Sequence, residues 1–109
     1  MQGGEVTAYS LDLSTEEGIR AAFNAYGRLD VLVRNAGFSS GGMVFEEERL
    51  ERLDAQLPVN TRAAYWLTQE AWPTMIHQKC GRIILASSAE LHGVAGSIPY
   101  SAAKDATSA

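Results

Sequence analysis

The sequence predicts an α/β domain built on a parallel sheet, and three observations predict it. Strand-like runs alternate with stretches of helical periodicity in the order β-α-β-α-α-β-α. Alternation of this kind implies parallel strands joined by crossover helices. The runs Leu29 to Val33 (broken only by Asp30) and Ile83 to Ala86 are nearly continuously apolar, the pattern of strands covered on both faces. Capping and stop signals fall between the strands, where helices should begin and end.

Each element has its own justification. Val6 to Leu11 reads as a strand, with Thr7 and Tyr9 among its residues. Ser14 and Glu17 have capping-box spacing, which makes Ser14 the expected N-cap. Ile19, Ala22, Phe23 and Tyr26 follow on one helical face, and Gly27 stands where a helix end takes a left-handed residue. The strand Leu29 to Val33 runs into Asn35-Ala36-Gly37, then a loop rich in Ser and Gly from Phe38 to Gly42. A helix is predicted over 46–56, where Glu46-Glu47-Glu48 suits a helix N-terminus. Pro58 separates it from a longer helix over 61–78 with the apolar stripe Ala64, Leu67, Ala71 and Met75. Pro73 removes a backbone donor inside that helix and should bend it. Gly81 starts a turn, Ile83 to Ala86 is the third strand, and Leu91 to Gly96 is a loop. Pro99 suits the first turn of a last helix.

Composition narrows the function classes. A chain of 109 residues fits one domain. No basic stripe accompanies the net charge of −4, which argues against nucleic acid as a partner. The single cysteine, Cys80, fits a reducing compartment, and it forms no metal-ligand pattern with the scattered His77 and His92. No run approaches bilayer length, and the first residues lack the features of a secretory signal, so the expected location is cytoplasmic and no membrane partner is expected.

The segment Tyr100-Ser101-Ala102-Ala103-Lys104 carries the chemistry. Residues four apart share a helix face, so phenol and ammonium can approach one point. A nearby cation favours phenolate over phenol, which suits a tyrosine for proton transfer. On its own this pair is commonly a Tyr packed over a Lys stem. Ser87-Ser88 ends a strand twelve residues upstream. A hydroxyl there can face the crevice at the carboxyl ends of parallel strands, or simply cap a turn.

Gly81 to Ser88 followed by Tyr100 to Lys104 resembles the active-site segment of the short-chain dehydrogenase/reductase (SDR) family. Three further segments agree in order: Asp12-Leu13, the strand from Leu29 into Arg34-Asn35-Ala36-Gly37, and Val59-Asn60. The resemblance implies an incomplete Rossmann-like three-layer sandwich with a parallel sheet, and a partial NAD(P)-binding domain over 1–109. It implies hydride transfer between NAD or NADP and a small carbonyl or alcohol substrate. Tyr100 would be general acid and base, Lys104 would assist it and hold the nicotinamide ribose, and Ser88 would orient the substrate. Asn60 would position Lys104 from a locally distorted helix. Asp12 and Leu13 would meet the adenine, and Asn35, Ala36 and Gly37 would line the adenosine side. The parent is expected to be a homo-oligomer that uses the helix carrying Trp66 and Trp72.

Three departures from the family pattern stand out. Arg34 replaces its first Asn. The interval from Ser88 to Tyr100 is one residue short, which keeps Ser87 as a competitor, although counting from Gly81 favours Ser88. The glycine-rich phosphate turn and the later strands are not in these residues, so the chain is expected to be a central portion, inactive by itself and at most a packing partner. A sugar-nucleotide epimerase relative shares the Tyr-x-x-x-Lys pair, but the Asn-Ala-Gly and Ser-Ser strand ends favour the dehydrogenase.

Overall fold

The computed structural model describes residues 3–24 and 26–108. Its elements are α1 (Glu16–Asn24), β1 (Val31–Arg34), α2 (Leu50–Leu57), α3 (Ala63–Gln78), β2 (Arg82–Leu85) and α4 (Ile98–Asp105). Two 3-10 turns, Phe45–Glu47 and Ala89–His92, and a π-turn, Pro58–Arg62, join them. β1 and β2 pair in parallel, with Val31 opposite Arg82 and Arg34 opposite Leu85. This is the parallel α/β arrangement of a Rossmann-like sheet, and helices cross over between the strands.

The core lies between α1, α3 and β1. Ile19, Ala63 and Leu67 are buried together, and Leu13, Phe23, Leu32 and Trp66 pack around them. The predicted stripe Ala64, Leu67, Ala71 and Met75 is buried along α3. Leu32 and Arg34 point to this covered face, whereas Val31 and Val33 alternate to the other. Val33 is 59% exposed and Ile84 51%, so the expectation of strands covered on both faces is corrected: helices cover one face among the described residues.

Several boundaries differ from the sequence reading. Val6 to Leu11 forms no strand; it has no ladder neighbour among the described residues, and Val6 is 90% exposed. An extended segment becomes a strand only by pairing its backbone. The cap of α1 is Thr15, whose hydroxyl accepts the Gly18 N–H at 3.1 Å. Ser14 is captured instead by Asp12, which takes its N–H at 2.9 Å and its hydroxyl at 2.7 Å on one carboxylate oxygen. This Asx-type turn moves the helix start by one residue. α1 ends at Asn24, and the positive-φ glycines among the described residues are Gly41, Gly93 and Gly96 rather than Gly27. β1 starts at Val31 because the Leu29 backbone is engaged by the Gln78 side chain, at 2.9 Å on both sides.

The helix predicted over 46–56 divides, because Glu48 is extended (φ −68°, ψ 147°) between the 3-10 turn and α2. Pro58 does not separate α2 from α3. It keeps helical angles (φ −59°, ψ −41°), and the turn widens so that the Ala63 N–H reaches the Pro58 carbonyl five residues back. A proline tolerates the opening of a helical segment because it has no N–H to place there. Pro99 likewise opens α4, and Pro73 sits within α3 without ending it. Among the described residues no helix is long and apolar enough to cross a membrane.

Gly18 is where the first turn of α1 tolerates no side chain, since a Cβ there would overlap the Asp12 carbonyl. Gly18→Ala is expected to cost about 1–3 kcal/mol through overpacking. Chemical denaturation would show it as a lower midpoint with an unchanged slope.

Candidate active site

The site gathers where the carboxyl ends of β1 and β2 meet α4. Tyr100 and Lys104 lie one turn apart on that helix, Tyr100 partly buried and Lys104 only 3% exposed. The Lys104 Nζ is 5.8 Å from the centre of the Tyr100 ring. It donates to the Ala86 carbonyl at 2.9 Å. Ala86 in turn donates its N–H to the Arg34 carbonyl at 2.9 Å. The ammonium is thus tied to the strand pair through one residue. Burial, and after it the Arg34 charge, pushes the Lys104 proton affinity below that of an ordinary lysine.

Asn60 is fully buried in the π-turn, the local distortion expected at that position. Its side chain clamps the loop after β1, accepting from the Phe38 N–H at 2.9 Å and donating to the Phe38 carbonyl at 2.8 Å. The next residue, Thr61, donates to the Ala103 carbonyl at 2.8 Å and so ties the π-turn to α4. Gly37 closes this corner: a Cβ on it would lie 2.8 Å from Asn60 Oδ1 and 3.4 Å from Lys104 Nζ. Asn60, Gly37 and Lys104 therefore meet, whereas the sequence reading set Asn60 with Lys104 and Gly37 on the adenosine side. Asn35 and Ala36 are exposed where β1 ends.

Ser88 is half-buried and caps the 3-10 turn, accepting from the Glu90 N–H at 3.2 Å. Its hydroxyl proton remains available to a ligand. Ser87 is exposed and shares a 2.9 Å bond with the Ser108 hydroxyl. The loop between Ser88 and Tyr100 is held by Ser97, which donates to the Glu90 carboxylate, and by Met43, whose N–H reaches the Gly96 carbonyl at 3.0 Å.

Asp12 and Leu13 lie at the entry to α1. Both Ser14 bonds, the hydroxyl's first, hold the exposed Asp12 carboxyl below the usual carboxylate range. Leu13 packs against the core cluster. The sequence reading did not anticipate the Ala86 carbonyl as the Lys104 acceptor, nor the burial of Arg34 beside it. It also missed Gln56 and Arg52, which hold Ser40 and the Gly41 carbonyl at 2.8 Å each. The spacing of Arg52 and Gln56, one helical turn apart, is the only sign of these in the sequence.

The sequence model of the short chain dehydrogenase family matches residues 1–109. The chain belongs to that family. It is 33% identical over 106 residues to the 3-oxoacyl-[acyl-carrier-protein] reductase FabG of Thermotoga maritima, covering 93% of this chain and 43% of the relative. Mouse peroxisomal multifunctional enzyme type 2 is 35% identical over 105 residues, which span 94% of this chain and 14% of that protein. The crystal structure of a metagenomic short-chain oxidoreductase in complex with NADP superposes with a TM-score of 0.84 at 35% identity, covering 97% of this chain and 50% of the other. The chain thus spans half or less of the length of each of these relatives.

Proposed function

We propose that this chain carries the proton-transfer half of an oxidoreductase that moves a hydride between NAD or NADP and a small carbonyl or alcohol. The observation that carries the proposal is the Lys104 ammonium, buried and bonded to Ala86 while lying against the Tyr100 ring at the carboxyl end of a parallel strand pair. In open α/β sheets, ligands bind at that end. The metagenomic relative holds NADP, and the residues present here fit such a cofactor. Asn35, Ala36 and Gly37 offer an exposed backbone edge, and the close approach at Gly37 leaves no room for a side chain. Lys104 has committed one of its three donors to Ala86, which leaves two for ribose hydroxyls. Asp12 and Leu13 belong to the adenine end of the same proposal.

The cofactor, when bound, supplies or accepts the hydride. In reduction Tyr100 gives its phenolic proton to the carbonyl oxygen, and in oxidation it takes the hydroxyl proton. Ser88 donates its remaining hydroxyl proton to that same oxygen and aims it at Tyr100. Asn60 fixes the loop that carries Gly37, and so fixes the floor beneath Lys104.

Turnover by the isolated 109 residues is not part of the proposal; they contain no glycine-rich phosphate turn. We propose that activity needs the phosphate-binding and substrate-binding parts that short-chain dehydrogenases supply elsewhere. Association with a second copy through α3, where Tyr65, Trp72 and Ile76 are exposed, belongs to the same reading. So does a cytoplasmic location, although the mouse relative carries a peroxisomal name.

The test is an assay of the enzyme that carries this chain, with NADH and NADPH against a panel of ketones, following nicotinamide absorbance. In that assay Ser88→Ala is expected to cripple reduction, whereas Ser87→Ala is mild. The opposite ranking would move the substrate-facing hydroxyl to Ser87. Absence of any cofactor-dependent turnover across the panel would overturn the proposal.

A further inference from the structure

Arg34, the residue that departs from the family's Asn-Asn-Ala-Gly pattern, is 3% exposed. Its three guanidinium nitrogens are buried and have no acceptor among the described residues. A buried unpaired charge is costly, so a fold that keeps one invites a functional explanation. Its placement narrows that explanation. Arg34 lies on the covered face of β1, opposite Leu85 and just before Asn35. Its carbonyl accepts from Ala86, whose own carbonyl accepts from Lys104, each at 2.9 Å. Two buried cations are therefore tied through the backbone to neighbouring positions of one strand pair, and Tyr100 stands one helical turn from the second of them on α4.

We propose that Arg34 is a positioning residue of the proton-transfer centre, a fixed buried cation set against Lys104, so that the two share the positive charge presented to Tyr100. The inference rests on the reading of Tyr100 and Lys104 given above. A guanidinium does not lose its proton in proteins, whereas an ammonium can. Arg34 supplies the permanent charge, and its repulsion makes Lys104 readier to release a proton. Burial and then the Arg34 charge both act on Lys104 in that direction. Burial also weakens the Arg34 hold on its proton, though not to the point of releasing it.

The other charged groups near α4 are engaged elsewhere or face solvent. On α2, Arg52 bonds Glu48 and the Gly41 carbonyl, and Glu51 and Asp54 are exposed. In the π-turn, Arg62 is exposed and stacks over Trp66 at 5.2 Å. In the 3-10 turn, Glu90 accepts from Ser97 and His92 is exposed, as is Asp105 on α4 itself. None of them is a partner of the Arg34 guanidinium.

The test is nuclear magnetic resonance on the protein that carries this chain, made with isotope-labelled lysine. The Lys104 ε-carbon signal is identified by its loss in Lys104→Arg and followed through a pH titration, with exposed Lys79 as the reference. Arg34→Asn is expected to move the Lys104 midpoint to higher pH, a severalfold gain in proton affinity, with Lys79 unmoved. Arg34→Met, apolar and unbranched, is expected to do the same and decides the matter if the Asn variant fails to fold. Arg34→Lys keeps the charge and is expected to keep the midpoint low. Unchanged midpoints in both neutral variants would overturn the proposal. So would loss of folding in both, because that would make Arg34 a packing residue. A midpoint that moves while Tyr100→Phe keeps full turnover would instead leave the cation pair standing and overturn the reading of Tyr100.

Discussion

Replacing Tyr100 with Phe is expected to lower turnover about 10²–10⁴-fold in the enzyme that carries this chain, the range general acid–base catalysis contributes. The ring that lies against Lys104 remains, and the hydroxyl alone is lost. The bond from Lys104 to the Ala86 carbonyl does not involve that hydroxyl, so the ammonium keeps its place. Binding of reduced cofactor, read by fluorescence titration, is therefore expected to change little. A fall in turnover with binding intact identifies proton transfer as the lost step. Near-normal turnover would remove Tyr100 from the reaction.

How much of this was legible in the sequence varied with the range of the interaction. The Tyr100–Lys104 face was readable because helix geometry alone brings residues four apart together. The crossover order was readable because strand-like and helix-like runs alternate plainly. The convergence of Gly37, Asn60 and Lys104 was not readable from periodicity. These residues come from a strand end, a π-turn and a helix; the family resemblance linked Asn60 with Lys104 but set Gly37 on the adenosine side. Pro58 shows the opposite failure, where a local rule misled. Proline is a reliable break inside regular α-helix, yet here the turn widened around it. The residue types from Pro58 to Arg62 do not themselves announce the wider turn that Ala63 closes on Pro58; the distortion at Asn60 was expected from the family resemblance alone. Val6 to Leu11 has strand composition, but pairing requires a neighbour, and composition does not reveal one. Arg34 was visible as a departure from the pattern. Its burial without a partner depends on how β1 packs beneath the helices that cover it, and nothing in its immediate neighbours encodes that.

Asn60→Ala is expected to be the most damaging single change to the scaffold of the site. The amide makes two bonds to one residue, accepting from Phe38 N–H and donating to Phe38 C=O, and it does so fully buried. Alanine removes both, and each net hydrogen bond contributes about 1 kcal/mol, with about 1–3 kcal/mol more for a polar group left unpaired in the interior. The loss is therefore expected at about 3–5 kcal/mol, a large part of the stability of a small domain. Asn60→Asp separates the two halves of the clamp. An aspartate oxygen still accepts from the Phe38 N–H, but its other oxygen faces the Phe38 carbonyl, acceptor against acceptor, and a buried carboxylate has lost its solvent. This variant is expected to regain stability as the pH falls and the carboxyl takes a proton, because the protonated oxygen can then donate to that carbonyl. Its folded form binds that proton more tightly than its unfolded form, so the stability gained at acid pH is lost as the pH rises through the folded-state value. Urea denaturation of the parent and both variants, repeated at acid and neutral pH, reads all of this. An Asp variant that is as stable as the parent at neutral pH would show that the Phe38 clamp is not what holds the loop carrying Gly37 against Lys104.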